Sequence, residues 1–333
     1  MRNNKQIVLS PTGQTIACTD QAEVLLDKQV KKLLACKPIL ACILQETVEE
    51  CKGMTSEEVE SCIEGTPQVE QVPVLPMNEI IVGQSQEDYL EGEGLIRYDI
   101  RTCLLLPGVD MPEVIKILVD IEAQKEDKPG YDLPLRALFY CCRMVSSQLG
   151  TEFSNQPDDP IKYGNIKKVY SIWICSNTAE IRANSVDKYT INRETVIGQN
   201  NDNPRYDILN AIIVNIGNKH DPQEADSRMV RMLNHLLDKT MDKSEKLQAL
   251  MDCGIAVTRE IETEVTSMCT YTASVLQAGM EKGMEKGRMT EIFSSVQEGD
   301  YSLERGAQKA GMSISEFEKA MVDEGYKVPA GII

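Results

Sequence analysis

Between Leu95 and Gln124 the apolar positions recur every second residue. In Ile115–Gln124 one alternating set is Ile115, Ile117, Val119, Ile121 and Ala123; the other is Lys116, Leu118, Asp120, Glu122 and Gln124. That period belongs to a β-strand. Leu95–Leu106 alternates in the same way, with Arg97, Asp99 and Arg101 on one face and Ile96, Tyr98 and Ile100 on the other. Pro107 and Gly108 interrupt it, so the pattern predicts an antiparallel hairpin around a loop from Pro107 to Pro112.

Around the hairpin the pattern is mostly helical. Asp20 with Glu23 reads as a capping box, which predicts a helix from Asp20 to just before Pro38 with Val24, Val30, Leu33 and Leu34 buried. Ile39–Leu44 should pack as a second turn or short helix. Thr55 with Glu58 predicts another helix, closed by Gly65. The acidic, proline-bearing stretch 66–94 reads as loop with one strand near Glu79–Val82. Asp132–Leu149 predicts a helix whose Leu135, Leu138, Phe139, Cys142 and Val145 face the sheet. Arg136, Tyr140 and Arg143 form a stripe beside that face, a combination suited to a phosphate backbone. Lys167–Cys175 reads as a strand, so strand, helix and strand make a crossover that lays the helix over the sheet. Further strands are expected at Asp187–Val196 and Ile208–Ile216, with a turn at 198–204.

After Gly217 the pattern turns helical throughout. Met229, Met232, Leu233, Leu236 and Leu237 mark one amphipathic segment, and Asp242 with Glu245 caps another that ends at Gly254. A long helical pattern runs from Thr258 past Glu291. It contains the repeat Gly279-Met280-Glu281-Lys282-Gly283-Met284-Glu285-Lys286-Gly287, which reads as a weakly helical, solvated connector, or as a seam where glycine permits close approach. Two short helices around Gly311 should close the chain, as a helix-turn-helix or, since Glu304, Glu316, Glu318 and Asp323 make the recognition region acidic, as a small interaction bundle. The division expected is a lead at 1–19, an α/β domain at 20–220 and a helical region at 221–333.

The 333 residues are 42% hydrophobic, enough for one sizeable core and an appendage. No run approaches the roughly 18 apolar residues of a membrane span, and the start leads into no apolar signal core, so a cytoplasmic protein is expected. Eleven cysteines without a CxxC pair suggest neither a disulfide framework nor a zinc site. With only His220 and His235 present, histidine-based chemistry is not expected. The net charge of −17 opposes nonspecific DNA binding. It is unevenly spread: residues 53–96 hold ten Asp or Glu and no Lys or Arg, whereas 125–193 hold ten Lys or Arg against eight acids.

In the hairpin, opposed positions summing to about 219 would set Asp99 near Asp120 and Glu122 on one face. Carboxylates with Cβ atoms roughly 5 Å apart repel unless a cation lies between them, and no Lys or Arg follows Glu122 on its own face. A metal is the cation this predicts. Ligation by one or two carboxylates with room for water and a phosphate suits Mg²⁺, or Mn²⁺ in its place. Asp120 is a rival ligand.

Tyr98-Asp99-Ile100 and Ile121-Glu122-Ala123-Gln124 resemble the PD-(D/E)XK nucleases, specifically the bacterial PD-(D/E)XK family transposases, or recombination-promoting nucleases. Asp27-Lys28-Gln29-Val30-Lys31-Lys32-Leu33-Leu34 and Arg136-Ala137-Leu138-Phe139-Tyr140 are similar to the same family, over roughly residues 20 to 215. The resemblance implies a restriction-endonuclease-like mixed sheet flanked by helices. It also implies a metal held by Asp99, Glu122 and the Ala123 carbonyl, with Asp27 of the first helix joining the site. Read without the resemblance, Asp27 is a solvated acid paired with Lys31 one turn later. Gln124 stands where the motif usually has a lysine that orients the attacking water. Members of the resembling group share this change, and a glutamine can hydrogen-bond a water without carrying charge. Lys125 points to the opposite strand face and is no simple replacement.

The function expected is Mg²⁺-dependent endonucleolytic hydrolysis of DNA, in a setting of recombination or mobile-element movement. Asp99, Glu122, Gln124 and Asp27 would be catalytic, and Arg136, Tyr140 and Arg143 would contact DNA. The C-terminal helices are the place for any homo-oligomer contact. The competing reading is a catalytically silent relative that binds a protein or nucleic acid.

Overall fold

The computed structural model describes residues 11–69, 87–90, 94–97, 99–107, 114–124, 129–148, 162–199, 206–217 and 226–328. In chain order the elements are helices α1 (Pro11–Leu34), α2 (Lys37–Thr47) and α3 (Ser56–Cys62), then strands β1 (Gln68–Val69), β2 (Glu87–Leu90), β3 (Gly94–Arg97), β4 (Ile100–Pro107) and β5 (Val114–Gln124). Helix α4 (Leu133–Ser146) precedes β6 (Lys168–Cys175), β7 (Ser185–Thr190) and β8 (Leu209–Asn215). The chain continues as α5 (Arg228–Leu237), α6 (Lys243–Asp252), α7 (Arg259–Gln297), α8 (Leu303–Ala310) and α9 (Ile314–Asp323).

Leu26–Thr270 makes one compact unit, an α/β arrangement around a mixed sheet of order β1-β4-β5-β6-β8-β7. Five strands are long; β1 adds two residues at one edge. The hairpin partners β4 and β5 are antiparallel, whereas β5, β6 and β8 run parallel, as expected of a crossover through α4. On one sheet face Ile100, Leu104, Val119, Ile121, Tyr170, Ile172 and Val214 pack against α2, α3, α5 and the unit's parts of α1 and α7. On the other face Cys103, Val169, Trp173, Ala211 and Ile213 pack against α4. Removing apolar area from water on both faces stabilises this three-layer arrangement at about 25 cal/mol per Å². The unit runs past the boundary expected at residue 220, because Met229, Leu233 and Leu236 of α5, Leu250 of α6 and Ile261, Val265 and Met268 of α7 join the first core.

Several local signals act as their chemistry dictates. Thr55 with Glu58 and Asp242 with Glu245 form reciprocal capping boxes on α3 and α6. Other expectations need correction. Helix α1 begins at Pro11, so Asp20 lies inside it and the lead expected to residue 19 is partly helical. Val24 is 55% exposed rather than buried. The strand expected from Leu95 to Leu106 is broken, since β3 pairs only with β2, in a separate two-stranded sheet, and β4 starts afresh at Ile100. Asp99 occupies that break.

Helix α4 turns a different face to the sheet from the one expected. Leu133, Ala137, Tyr140, Cys141 and Met144 are buried, whereas Leu135, Phe139 and Cys142 are exposed; of the residues expected on the sheet, only Leu138 and Val145 pack against it, and they are partly buried. The small Ala137 and Cys141 let the helix lie close to the strands, where the Cys141 thiol donates to the Asn210 carbonyl at 3.2 Å. Tyr140 meets Trp173 edge-on with ring centroids 5.2 Å apart.

The second unit comprises Met1–Leu25 and Tyr271–Ile333. Its core is Ile292, Phe293, Val296, Ala307, Phe317 and Met321, the small helical bundle expected at the C-terminus. A Cβ on Gly306 would lie 2.5 Å from Val296 and 2.9 Å from Phe317, so glycine allows α8 its close approach. The glycine repeat is helical, part of α7, with Met280 and Met284 mostly exposed and no atom crowding Gly279, Gly283 or Gly287. Among the described residues it is solvated, as one of its two readings held, and no helix of the same chain packs on its glycines. The strand expected at 79–82, together with Tyr98, Lys125 and His220, lies outside the described residues.

Candidate active site

At the C-terminal end of β5 two carboxylates interlock with the backbone across the hairpin. The Asp99 amide donates to Glu122 Oε1 at 3.1 Å, and the Ala123 amide donates to Asp99 Oδ2 at 2.9 Å. Asp99 and Glu122 keep only 8% and 7% of their surface. The pairing register sets Ile100 opposite Ile121 and Arg101 opposite Asp120, a shift of two residues from the register expected. Glu122 is therefore level with Asp99, while the rival Asp120 is matched with Arg101. The break before β4 supplies the geometry: with Asp99 outside the regular ladder, its amide and carboxylate can both turn to β5.

A cation does lie against these acids, and it is a side chain. Lys31 Nζ of α1 stands 2.6 Å from Asp99 Oδ1 and 2.9 Å from Asp27 Oδ2. The Asp27–Lys31 pairing at one helical turn is the solvated-pair alternative for Asp27, with the addition that the lysine reaches the hairpin. Burial works against the Lys31 charge, but Asp99 and Asp27 outweigh it and raise its pKa above the ordinary lysine value. For Asp99 burial pushes the carboxyl above the usual carboxylate range, opposed by the Lys31 ammonium and the Ala123 amide and reinforced by Asp27.

The other side of the site is aromatic and basic. The Tyr131 hydroxyl donates to Gln124 Oε1 at 3.3 Å. The Arg136 guanidinium lies 4.8 Å from the Tyr131 ring centroid and 5.4 Å from those of Tyr140 and Trp173, and donates to the Tyr140 hydroxyl at 3.0 Å. Burial opposes its charge, yet the Tyr140 hydroxyl and the negative field that includes Glu122 raise its pKa overall. Of the expected DNA-contacting stripe, Arg136 alone is more than slightly accessible. Tyr140 and Arg143 keep 6% and 2% of their surface, and Tyr140 belongs to the core between α4 and the sheet.

Among the described residues no three Asp, Glu, His or Cys side chains converge as around a metal. The donors on hand are the Asp99 and Glu122 carboxylates and the Ala123 carbonyl. All are oxygens, and a cation already rests on Asp99. Such a set fits a hard ion that keeps several waters, as Mg²⁺ does, and lacks the nitrogen or sulfur ligands that Zn²⁺ favours. The alternation placed Asp99 near Glu122, and only the family resemblance added Asp27; Lys31 was assigned to Asp27 alone. The one signal was its spacing of one turn from Asp27; nothing local marks its reach to Asp99. No family model, no curated protein and no solved structure matches this chain.

Proposed function

We propose that the chain hydrolyses phosphodiester bonds of DNA, with a divalent metal held by Asp99, Glu122 and the Ala123 carbonyl. The observation that supports this is the pair of buried carboxylates locked level with each other at the end of β5, with Lys31 on one side and Arg136 on the other. Mg²⁺ at such a site would activate a water and offset charge gathering on the phosphate. The protein's own part is positioning. The backbone amides hold both carboxylates in place before any ligand arrives, so no reorganisation is needed. Gln124, with Oε1 accepting from Tyr131, keeps its Nε2 group as a donor on the same strand face as Glu122. It can orient a water there without altering the charge of the site. Arg136 presents a fixed positive charge for a phosphate of the backbone.

A second reading has its own observation. Lys31 already neutralises Asp99, so the same cluster would also serve as a structural lock in a catalytically silent binding protein. The two are separated by incubating the protein with supercoiled plasmid at low salt in Mg²⁺, Mn²⁺ or EDTA. Nicking in either metal that is lost in EDTA and in Glu122→Gln is the nuclease result. Intact plasmid under every condition leaves the lock.

A further inference from the structure

Of the described acids around the site, Asp99 stands out in being bound at one oxygen by an amide and at the other by an ammonium. The ammonium is tethered to a different element, α1, and its second anchor, Asp27, lies one turn back on that same helix. Asp27 is the more exposed partner, its side chain 34% accessible against 12% for Asp99. Lys31 therefore has a second carboxylate on which to rest if Asp99 is taken by another cation, and its chain need not leave the site to do so.

We propose that Lys31 is a built-in competitor of the metal: it occupies Asp99 while the site is empty of metal and withdraws onto Asp27 when a divalent ion takes the hairpin carboxylates. This rests on the metal reading above and adds its regulation. The physical basis is charge. Buried carboxylates brought level require a cation, and the lysine supplies one until a doubly charged ion displaces it. Two consequences follow for the site. Metal affinity is held below what the donors alone would give, and arrival of the metal leaves the Lys31 ammonium held by Asp27, with donors to spare for a substrate phosphate beside it.

Isothermal titration of the full chain with Mn²⁺ reads the competition without any turnover. Lys31→Met should bind Mn²⁺ roughly tenfold more tightly than the parent, equivalent to about 1.4 kcal/mol. Lys31→Arg, which keeps the charge, should stay near the parent value. In Ca²⁺, the methionine variant should also bind a short DNA duplex more weakly than the parent despite holding its metal more tightly. Circular dichroism confirms folding of each variant, and Lys31→Gln replaces Lys31→Met should the latter fail to fold. Unchanged or weaker Mn²⁺ binding in the uncharged variant, with binding still abolished by Glu122→Gln, overturns the competition and leaves the metal site standing. Duplex affinity in Ca²⁺ equal to the parent's overturns the delivery of the ammonium to the phosphate. Absence of Mn²⁺ binding in the parent and every Lys31 variant removes the metal reading itself, and the competition with it.

Discussion

Two lysines in this protein each bridge a pair of acids, at opposite ends of the same parallel strands. Lys31 joins Asp27 and Asp99 beside Glu122, which is level with Trp173 of β6. Lys168, the first residue of β6 and level with Ile117, joins Glu50 at 2.5 Å and also pairs with Asp207. The difference lies in what else holds the acids. Asp99 and Glu122 are fastened to backbone amides at the hairpin. Glu50 is fastened to a side chain, accepting from the Tyr170 hydroxyl at 2.8 Å, and Asp207 stays 52% exposed. The second cluster can relax into solvent if its lysine is lost, as a clamp between surface elements can. At the first, the carboxylates remain in place and must be neutralised by something else. That makes one cluster a candidate cation site and the other a structural tie.

The largest effect that would break this distinction is on catalysis. Glu122→Gln should lower plasmid nicking by at least about a hundredfold, in the range typical of losing a charged group that acts at the transition state, whereas Glu50→Gln should leave it within about twofold. Equal losses in gel-based rate assays would make both clusters structural. Next, Gln124→Ala should reduce the rate by roughly ten- to a hundredfold with little change in Mn²⁺ or DNA affinity, while Gln124→Lys keeps or raises activity. A rate unmoved by alanine would free Gln124 of any role with water.

On stability the two ends should also part. Lys31→Met should cost about 2–4 kcal/mol in urea unfolding without metal, because it leaves backbone-held acids facing one another, and saturating Mn²⁺ should restore much of that. Lys168→Met should cost less, about 1 kcal/mol, since the half-exposed Asp207 is screened by solvent and Glu50 keeps the Tyr170 hydroxyl, and metal should not rescue it. Rescue of both, or of neither, would erase the contrast. The smallest effect concerns DNA. Arg136→Gln should lower the salt dependence of duplex binding by up to about one phosphate contact, while Arg143→Gln should show itself in unfolding rather than in the salt slope. A lower slope in the Arg143 variant would place that side chain on the DNA path after all.

Much of the strand layout was legible because alternation is a local signal. The hairpin, the parallel crossover strand Lys168–Cys175 and the capped helices at Ser56 and Lys243 lie near where period and cap residues set them. The face of α4 was not legible. Its sequence places apolar residues on both sides, and periodicity cannot choose between Leu135 with Phe139 and Ala137 with Tyr140. The choice depends on Trp173, which is 1% exposed and takes Tyr140 as its ring partner. The break at Asp99 was hidden for a similar reason: the alternation continues through it, although the chain changes sheets there.

By itself the sequence determined that acids would gather on one hairpin, since Asp99 and Glu122 fall in alternating runs whose pairing puts them on a common face. It also determined that they would need a cation. Which cation answers that need was decided only by the tertiary structure, which carries Lys31 from a helix far upstream to within 2.6 Å of Asp99. Tertiary structure likewise decided that Arg143 would be buried and Arg136 left beside the site. The physical reason is the same in each case: a period reports which residues share a face, and only packing of distant elements tells what that face meets.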